Sequence, residues 1–249
     1  MTGPVALHGG GEFLPGDEPF LRRIVGLAPA RGGVVRIAVV PTAAARGRPD
    51  LASEHGVTAF RRIAAELGVS VEVEAVQVVD GASAADPGLA ERLVAATLIH
   101  LPGGDPDLIP TLYPGTAAWA AIQAAHGDGA VLAGASAGAM ALAGRTWTGR
   151  DVVPGLGIVP HVLVLPHADA GSWPRVLARY ARLRPADMGL LGIGERTGVI
   201  VPPDAADGTT PWRVVGEGEA RWLRAGESDP GATLVVPDGE SFLPVDRAA

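Results

Sequence analysis

The chain is constrained most by one repeated unit: an apolar run that stops at a loop of glycine or other small residues, followed by a segment of helical periodicity. "VALH" runs into "GGGEF", "RIAVV" into "PTAAA", "TLIHL" into "PGGD", and "AVLAGA" into "SAG". Between the runs, "LASEHGVTAFRRIAAELG" carries Phe60, Ile63, Ala64 and Leu67 on one helical face and closes at Gly68. "DPGLAERLVAA" offers Asp86 as N-cap with Pro87 at the first helical position, and "GTAAWAAIQAAHGDG" is also helical. "VEVEAVQVV" alternates as a strand does. Near-continuous apolar strands alternating with helices predict an α/β fold with a mostly parallel open sheet covered by helices on both faces. "TGVIVPP", "WRVVGEGEARWLRAG" and "ATLVVPDG" read as short strands with turns, a C-terminal β extension and edge hairpin of that sheet. With 249 residues and 47% hydrophobic content, residues 1–249 suffice for a single domain with a large core.

Composition excludes several function classes. A formal net charge of −7 leaves no basic footprint for nucleic acid or an anionic membrane. No apolar stretch approaches the roughly 20 residues that span a bilayer, and "MTGPVALHGGGEF" lacks the features of a signal peptide. A cytoplasmic protein is expected. The chain has no cysteine, so disulfides, thiolate metal sites and a cysteine nucleophile are all excluded.

The four small-residue loops share the carboxyl end of a predicted strand, where open α/β sheets bind ligands. One of them holds Ser136 in a G-x-S-x-G frame, Gly134 to Gly138, between a strand and a helix. That context suits a nucleophile elbow, in which the serine is strained and exposed and its neighbours must be small. The competing reading is a turn serine that caps the next helix.

A serine nucleophile needs a base, and the base needs an orienting group. His55 and His126 fall on helices and are expected at the surface; His100 falls on a strand and is expected to pack. His8 ends the first strand, where it either lines the site or packs. His161 precedes the short strand "VLVLP" and His167 follows it, so His167 is the one placed to reach Ser136. Glu195, between two apolar runs in "GIGERTGVIV", is the candidate acid, because an acid so placed is costly unless paired. Asp169 is its rival, and a Glu195–Arg196 surface turn is the plain alternative. The order Ser, His, acid differs from that of α/β-hydrolases.

In series, "GGGEF", "VVPTAAA", "LPGGDPDLI", "GASAGAM", "GLGIVPHVLVLPH" and "GIGERTGVIV" resemble the serine peptidase family of dipeptidase E and cyanophycinase, which shares the fold of class I glutamine amidotransferase domains. The resemblance implies Ser136 as nucleophile, His167 as base, Glu195 as acid, and an oxyanion hole at the backbone N–H groups of Gly104 and Ala137. It implies no cofactor. Where cyanophycinases usually carry a glutamine after GGD, this chain has Pro106; Leu165 and Ala168 also break their pattern around the histidine. A peptidase of small peptides, more exopeptidase or dipeptidase than endopeptidase, is therefore expected. A cyanophycinase and a non-catalytic binding member of the same fold are the alternatives, and a homo-oligomer is left open.

Gly103, Asp105, Pro106, Trp173 and Arg175 are candidate substrate contacts. Arg175, Arg179, Arg182 and Arg184 form a helical stripe, either a solvated face or a clamp for a peptide carboxylate. The glycine loops lack P-loop and G-x-G-x-x-G spacing, which argues against nucleotide binding. His161 and His167, six apart, do not make a metal pair, and no metal site is expected.

Overall fold

The computed structural model describes residues 1–180, 183–205, 208–227 and 229–244. In chain order the elements are β1 (Val5–His8), α1 (Glu18–Leu27), β2 (Val35–Val39), α2 (Pro49–Leu67), β3 (Val71–Ala75), α3 (Gly81–Ala85), α4 (Pro87–Ala95), β4 (Leu98–Leu101), α5 (Leu108–Leu112), α6 (Ala117–Gly127), β5 (Val131–Ala135) and α7 (Ala137–Leu142). The second half adds β6 (Ala143–Trp147), β7 (Val152–Pro154), β8 (Val159–Leu165), α8 (Trp173–Tyr180), β9 (Gly189–Ile193), β10 (Thr197–Val201), β11 (Trp212–Gly216), β12 (Glu219–Leu223), β13 (Leu234–Pro237) and β14 (Ser241–Phe242).

Among the described residues, eight strands form one sheet in the order β14-β11-β10-β1-β5-β4-β2-β3. From β1 to β3 every pairing is parallel, so these strands end on one edge. Helices cover both faces because side chains alternate along each strand. Ala6, Ile37, Val131 and Ala133 pack with Phe20 and Ile24 of α1 and Phe60 and Ile63 of α2. Leu7, Ala38, Ile99 and Leu132 join Leu93 of α4 and Ile122 of α6 in the core on the other face. The helix signals are met in detail: the Asp86 carboxylate accepts the Gly88 and Leu89 N–H groups at the start of α4, and Gly68 ends α2 in the left-handed conformation.

The C-terminal extension is antiparallel, as β10 pairs with β1, β11 with β10, and β14 with β11. The rest of the second half builds a further six-stranded sheet, β13-β12-β9-β8-β6-β7, with β6, β8 and β9 parallel. Separate sheets are invisible to local periodicity, since a strand's pattern does not say which neighbour it pairs with. Five expectations change. "WRVVGEGEARWLRAG" is not an edge hairpin and "ATLVVPDG" does not extend the first sheet: β11 stays in that sheet, while β12 pairs with β9 and β13 with β12 in the second. His126 is buried, its Nδ1 3.1 Å from the Ala130 carbonyl oxygen. Leu67 is exposed in the last turn of α2, just before the Gly68 cap. Strand β3 stops at Ala75, short of the full "VEVEAVQVV" run. His161 lies inside β8, not before it, and points to solvent. No helix among the described residues is long and apolar enough to cross a membrane.

Candidate active site

Strand β5 is buried on both faces along its length and delivers Ser136 to the carboxyl edge. Ser136 takes φ 48°, ψ −112°, outside the regions open to most residues. Crowding imposes the small neighbours: a Cβ on Gly134 would meet the Gly138 carbonyl carbon at 2.5 Å, and one on Gly138 would meet the Leu101 oxygen at 2.1 Å. Helix α7 thus lies against both β5 and β4. The Ser136 hydroxyl makes no capping bond to α7. Its Oγ lies 3.1 Å from His167 Nε2 instead.

His167 follows β8 with φ 54°. Its Nδ1 lies 3.1 Å from Glu195 Oε1. Glu195 sits in the turn where the chain leaves β9 of the second sheet and enters β10 of the first, which is why the acid reaches a histidine held by the other strand system. When the Glu195 carboxylate accepts Nδ1–H, Nε2 is left as the acceptor for the Ser136 hydroxyl proton. The pair is not buried: the His167 and Glu195 side chains are 50% and 44% exposed, so burial does not enforce it as the sequence suggested. Asp169 is exposed and, among the described residues, makes no ion pair; its carbonyl accepts N–H from Ser172 and Trp173 at the start of α8.

Three consecutive carbonyls at the end of β1 carry this arrangement. The His8 oxygen accepts from Ser136 N at 2.9 Å, Gly9 from His167 N at 2.9 Å, and Gly10 from Arg196 N at 2.7 Å. His8 itself is fully buried with its Nε2 2.9 Å from Asp17 Oδ1, and Asp17 Oδ2 accepts the Phe13 N–H. His8 therefore packs beneath the site and does not line it. Arg221, 4% exposed on β12, donates to the Ala168 carbonyl at 2.6 Å and pairs with Glu219, bracing the histidine loop from below. Sequence periodicity gave no sign of it.

The loop after β4 brings Gly103 and Gly104 beside the serine. Gly103 N–H donates to Glu12 Oε1 at 2.8 Å, and a Cβ there would meet Ser136 Cβ at 3.1 Å. Asp105 turns away to Arg46, which also holds Asp107. The Asp105 carboxyl is held below its usual range, by hydrogen bonding to Asp107 before the Arg46 charge. Pro106 and Gly104 line a cavity of about 250 Å³ that opens at Ser136 and His167. Its other walls include Met140, Trp147, Leu165, Val176 and Tyr180.

Trp173 and Arg175 stand outside that wall. Trp173 is buried against Gly192, its Nε1 donating to Thr233 Oγ1, and Arg175 is exposed. Of the arginine stripe, Arg179 stacks over the Trp147 ring at 4.8 Å, Arg184 donates to the Arg224 carbonyl, and Arg182 lies outside the described residues. The tryptophan that lines the cavity is Trp147. It comes from a strand 33 positions before its partner Tyr180, a separation with no local signature. Among the described residues no cluster of three His, Asp or Glu side chains is placed to hold a metal ion.

The chain matches the model of peptidase family S51 over residues 8–207. It resembles a crystal structure of a peptidase from an acI-B1 Actinobacterium, with 27% identity and a TM-score of 0.77 over 98% of this chain and 97% of that one. A protein of Listeria monocytogenes EGD-e described as a candidate peptidase E shares the fold, with 14% identity and a TM-score of 0.55 over 82% of this chain and 96% of that one. No protein with a curated description matches.

Proposed function

Because the chain belongs to peptidase family S51, the serine peptidases of the dipeptidase E and cyanophycinase type, we propose that it hydrolyses small peptides through Ser136, His167 and Glu195. The observation that carries this reading is the continuous contact from Ser136 Oγ to His167 Nε2 and from Nδ1 to Glu195 Oε1, each 3.1 Å. Ser136 Oγ attacks the scissile carbonyl carbon as its proton passes to Nε2. The carbonyl oxygen becomes an oxyanion facing the N–H groups of Gly104 and Ala137. Ala137 opens α7, so its N–H has no acceptor within the helix. One such donor is worth about 3 kcal/mol in the transition state. The C–N bond then breaks, His167 gives its proton to the leaving amine, and water releases the acyl group by the same steps in reverse. Nothing in this sequence calls for a cofactor.

All 249 residues are taken as one peptidase domain, acting as an exopeptidase or dipeptidase. Cyanophycin, a polymer bearing arginine, is a poor fit, since Pro106 and Leu165 form apolar wall beside the serine. The test is labelling by a fluorophosphonate probe together with digestion of a peptide library read by mass spectrometry. The protein is expected to take the probe on Ser136 and cleave short peptides, and Ser136→Ala is expected to lose both with its melting temperature intact. Undiminished turnover by that variant overturns the assignment.

A further inference from the structure

Resting on the reading of Ser136 as nucleophile, we propose that the cavity beside it is the specificity pocket for an uncharged, apolar side chain of a residue flanking the scissile bond. Trp147 and Tyr180 are its aromatic walls. They meet edge to face with centroids 5.1 Å apart at 87°, one from β6 and the other from α8, so both sheet and helix fix its width. Met140, Leu165 and Val176 add aliphatic wall, and Pro106 closes the side toward the glycine loop.

Position and size point to a single side chain. The cavity opens at Ser136, Ala137 and His167, so a group entering it belongs to a residue whose carbonyl or amide is at the nucleophile. Its volume of about 250 Å³ falls below the range of about 300–1,000 Å³ that holds whole drug-sized ligands. Chemistry narrows the choice further. Apart from His167, no lining residue is ionisable as Asp, Glu, Lys or Arg. A carboxylate or guanidinium placed there would be desolvated with nothing opposite in charge, which is strongly unfavourable. Arg179, the cation beside this wall, is engaged on the Trp147 ring and does not line the cavity. Polar charge is offered elsewhere: Glu12 sits by Gly103, outside the lining.

The test is a dipeptide matrix varying both positions through Ala, Leu, Met, Phe, Asp and Arg, run on the native chain and on Val176→Trp, which fills the cavity from α8. Fluorophosphonate labelling of Ser136 is measured alongside. Leu, Met and Phe are expected to exceed Asp and Arg in kcat/KM at one of the two positions. In Val176→Trp the Phe-to-Ala ratio at that position is expected to fall about 10- to 200-fold, as for a pocket that loses its side-chain contacts. A preference for charged side chains at both positions, or an unchanged ratio in a labelled variant, overturns the pocket while leaving the nucleophile in place. Failure of the native chain either to label or to cleave overturns the peptidase reading, and the pocket with it. Should Val176→Trp not fold, inhibition of the native protein by phenethylboronic and methylboronic acids decides: the phenethyl compound is expected to bind about tenfold tighter or better, and equal affinities overturn the proposal.

Discussion

Gly10→Ala separates positioning from folding. Gly10 has φ +118°, and a Cβ built on it would lie 2.3 Å from Cε1 of the His167 ring and 2.8 Å from Nδ1. Carbon atoms in ordinary contact are about 3.5–4.0 Å apart, so the ring must retreat by more than an ångström. The backbone cannot yield instead, because the Gly10 carbonyl is bound to Arg196 N and the preceding carbonyl to His167 N. The Ser136–His167 contact is already 3.1 Å, so such a retreat takes it beyond hydrogen-bond range. Misplacing a catalytic group by about 1 Å costs on the order of 10²-fold. A loss of about 10²–10⁴ in the rate of fluorophosphonate labelling and in kcat/KM is expected. The stability cost is smaller. An alanine at this φ costs about 1–3 kcal/mol, which for a chain of this size lowers the melting temperature by roughly 2–12 °C. Labelling kinetics and a thermal melt on the same preparation read both. A variant that melts lower but labels at the native rate would refute the reasoning, since the histidine would then tolerate displacement.

Glu195→Gln is expected to slow labelling strongly, though by less than the factor of about 10⁴ seen for such a change at a buried triad acid, because Glu195 is 44% exposed. Asp169→Asn and His161→Ala should leave the rate near native, and the reverse order of effects would move the roles to those residues. Acid should unfold the protein in a way traceable to His100, which burial, and after it the charge of His8, pushes down to about 3. The unfolded histidine binds a proton below about 6.5 and the folded one does not until about 3, so stability is full above that upper value and falls with pH by about 1.4 kcal/mol per unit. Urea midpoints between pH 7 and pH 4 should show a shallower fall in His100→Leu, and an identical slope would exclude His100 as the cause.

What the sequence made legible was local. The parallel core strands could be read because each is an apolar run with a helix signal after it, and Asp86, Pro87 and Gly68 mark helix ends by their own backbone chemistry. The elbow was legible because crowding between Gly134 and Gly138 leaves a fixed spacing in the chain. The second sheet was not, because pairing partners such as β6 and β8 carry no mark of each other. The cavity was missed for the same reason: Trp147 and Tyr180 meet only after two elements from different layers have packed. Trp173 drew notice by its nearness to His167 in sequence, yet α8 turns it inward against Gly192.

The strain in this site has a common anchor. Among the described residues, five that are not glycine have positive φ, and four of them, Phe13, Ser136, His167 and Arg196, lie in the loops gathered here. At about 1–3 kcal/mol each, their combined cost is comparable to the whole stability of a typical domain, about 5–15 kcal/mol. They persist because fixed groups hold each of them. The carbonyls of His8, Gly9 and Gly10 take the N–H groups of Ser136, His167 and Arg196, and the buried Asp17 takes that of Phe13. One short segment, continuous with the central strand β1 and with the buried His8–Asp17 contact beneath it, therefore sets three loops that come from two different sheets. "GGG" is needed at that place because the segment must bring its carbonyls under three neighbours while the His167 ring lies directly on Gly10. The geometry at Ser136 thus depends on β1 as much as on the elbow that bears the serine.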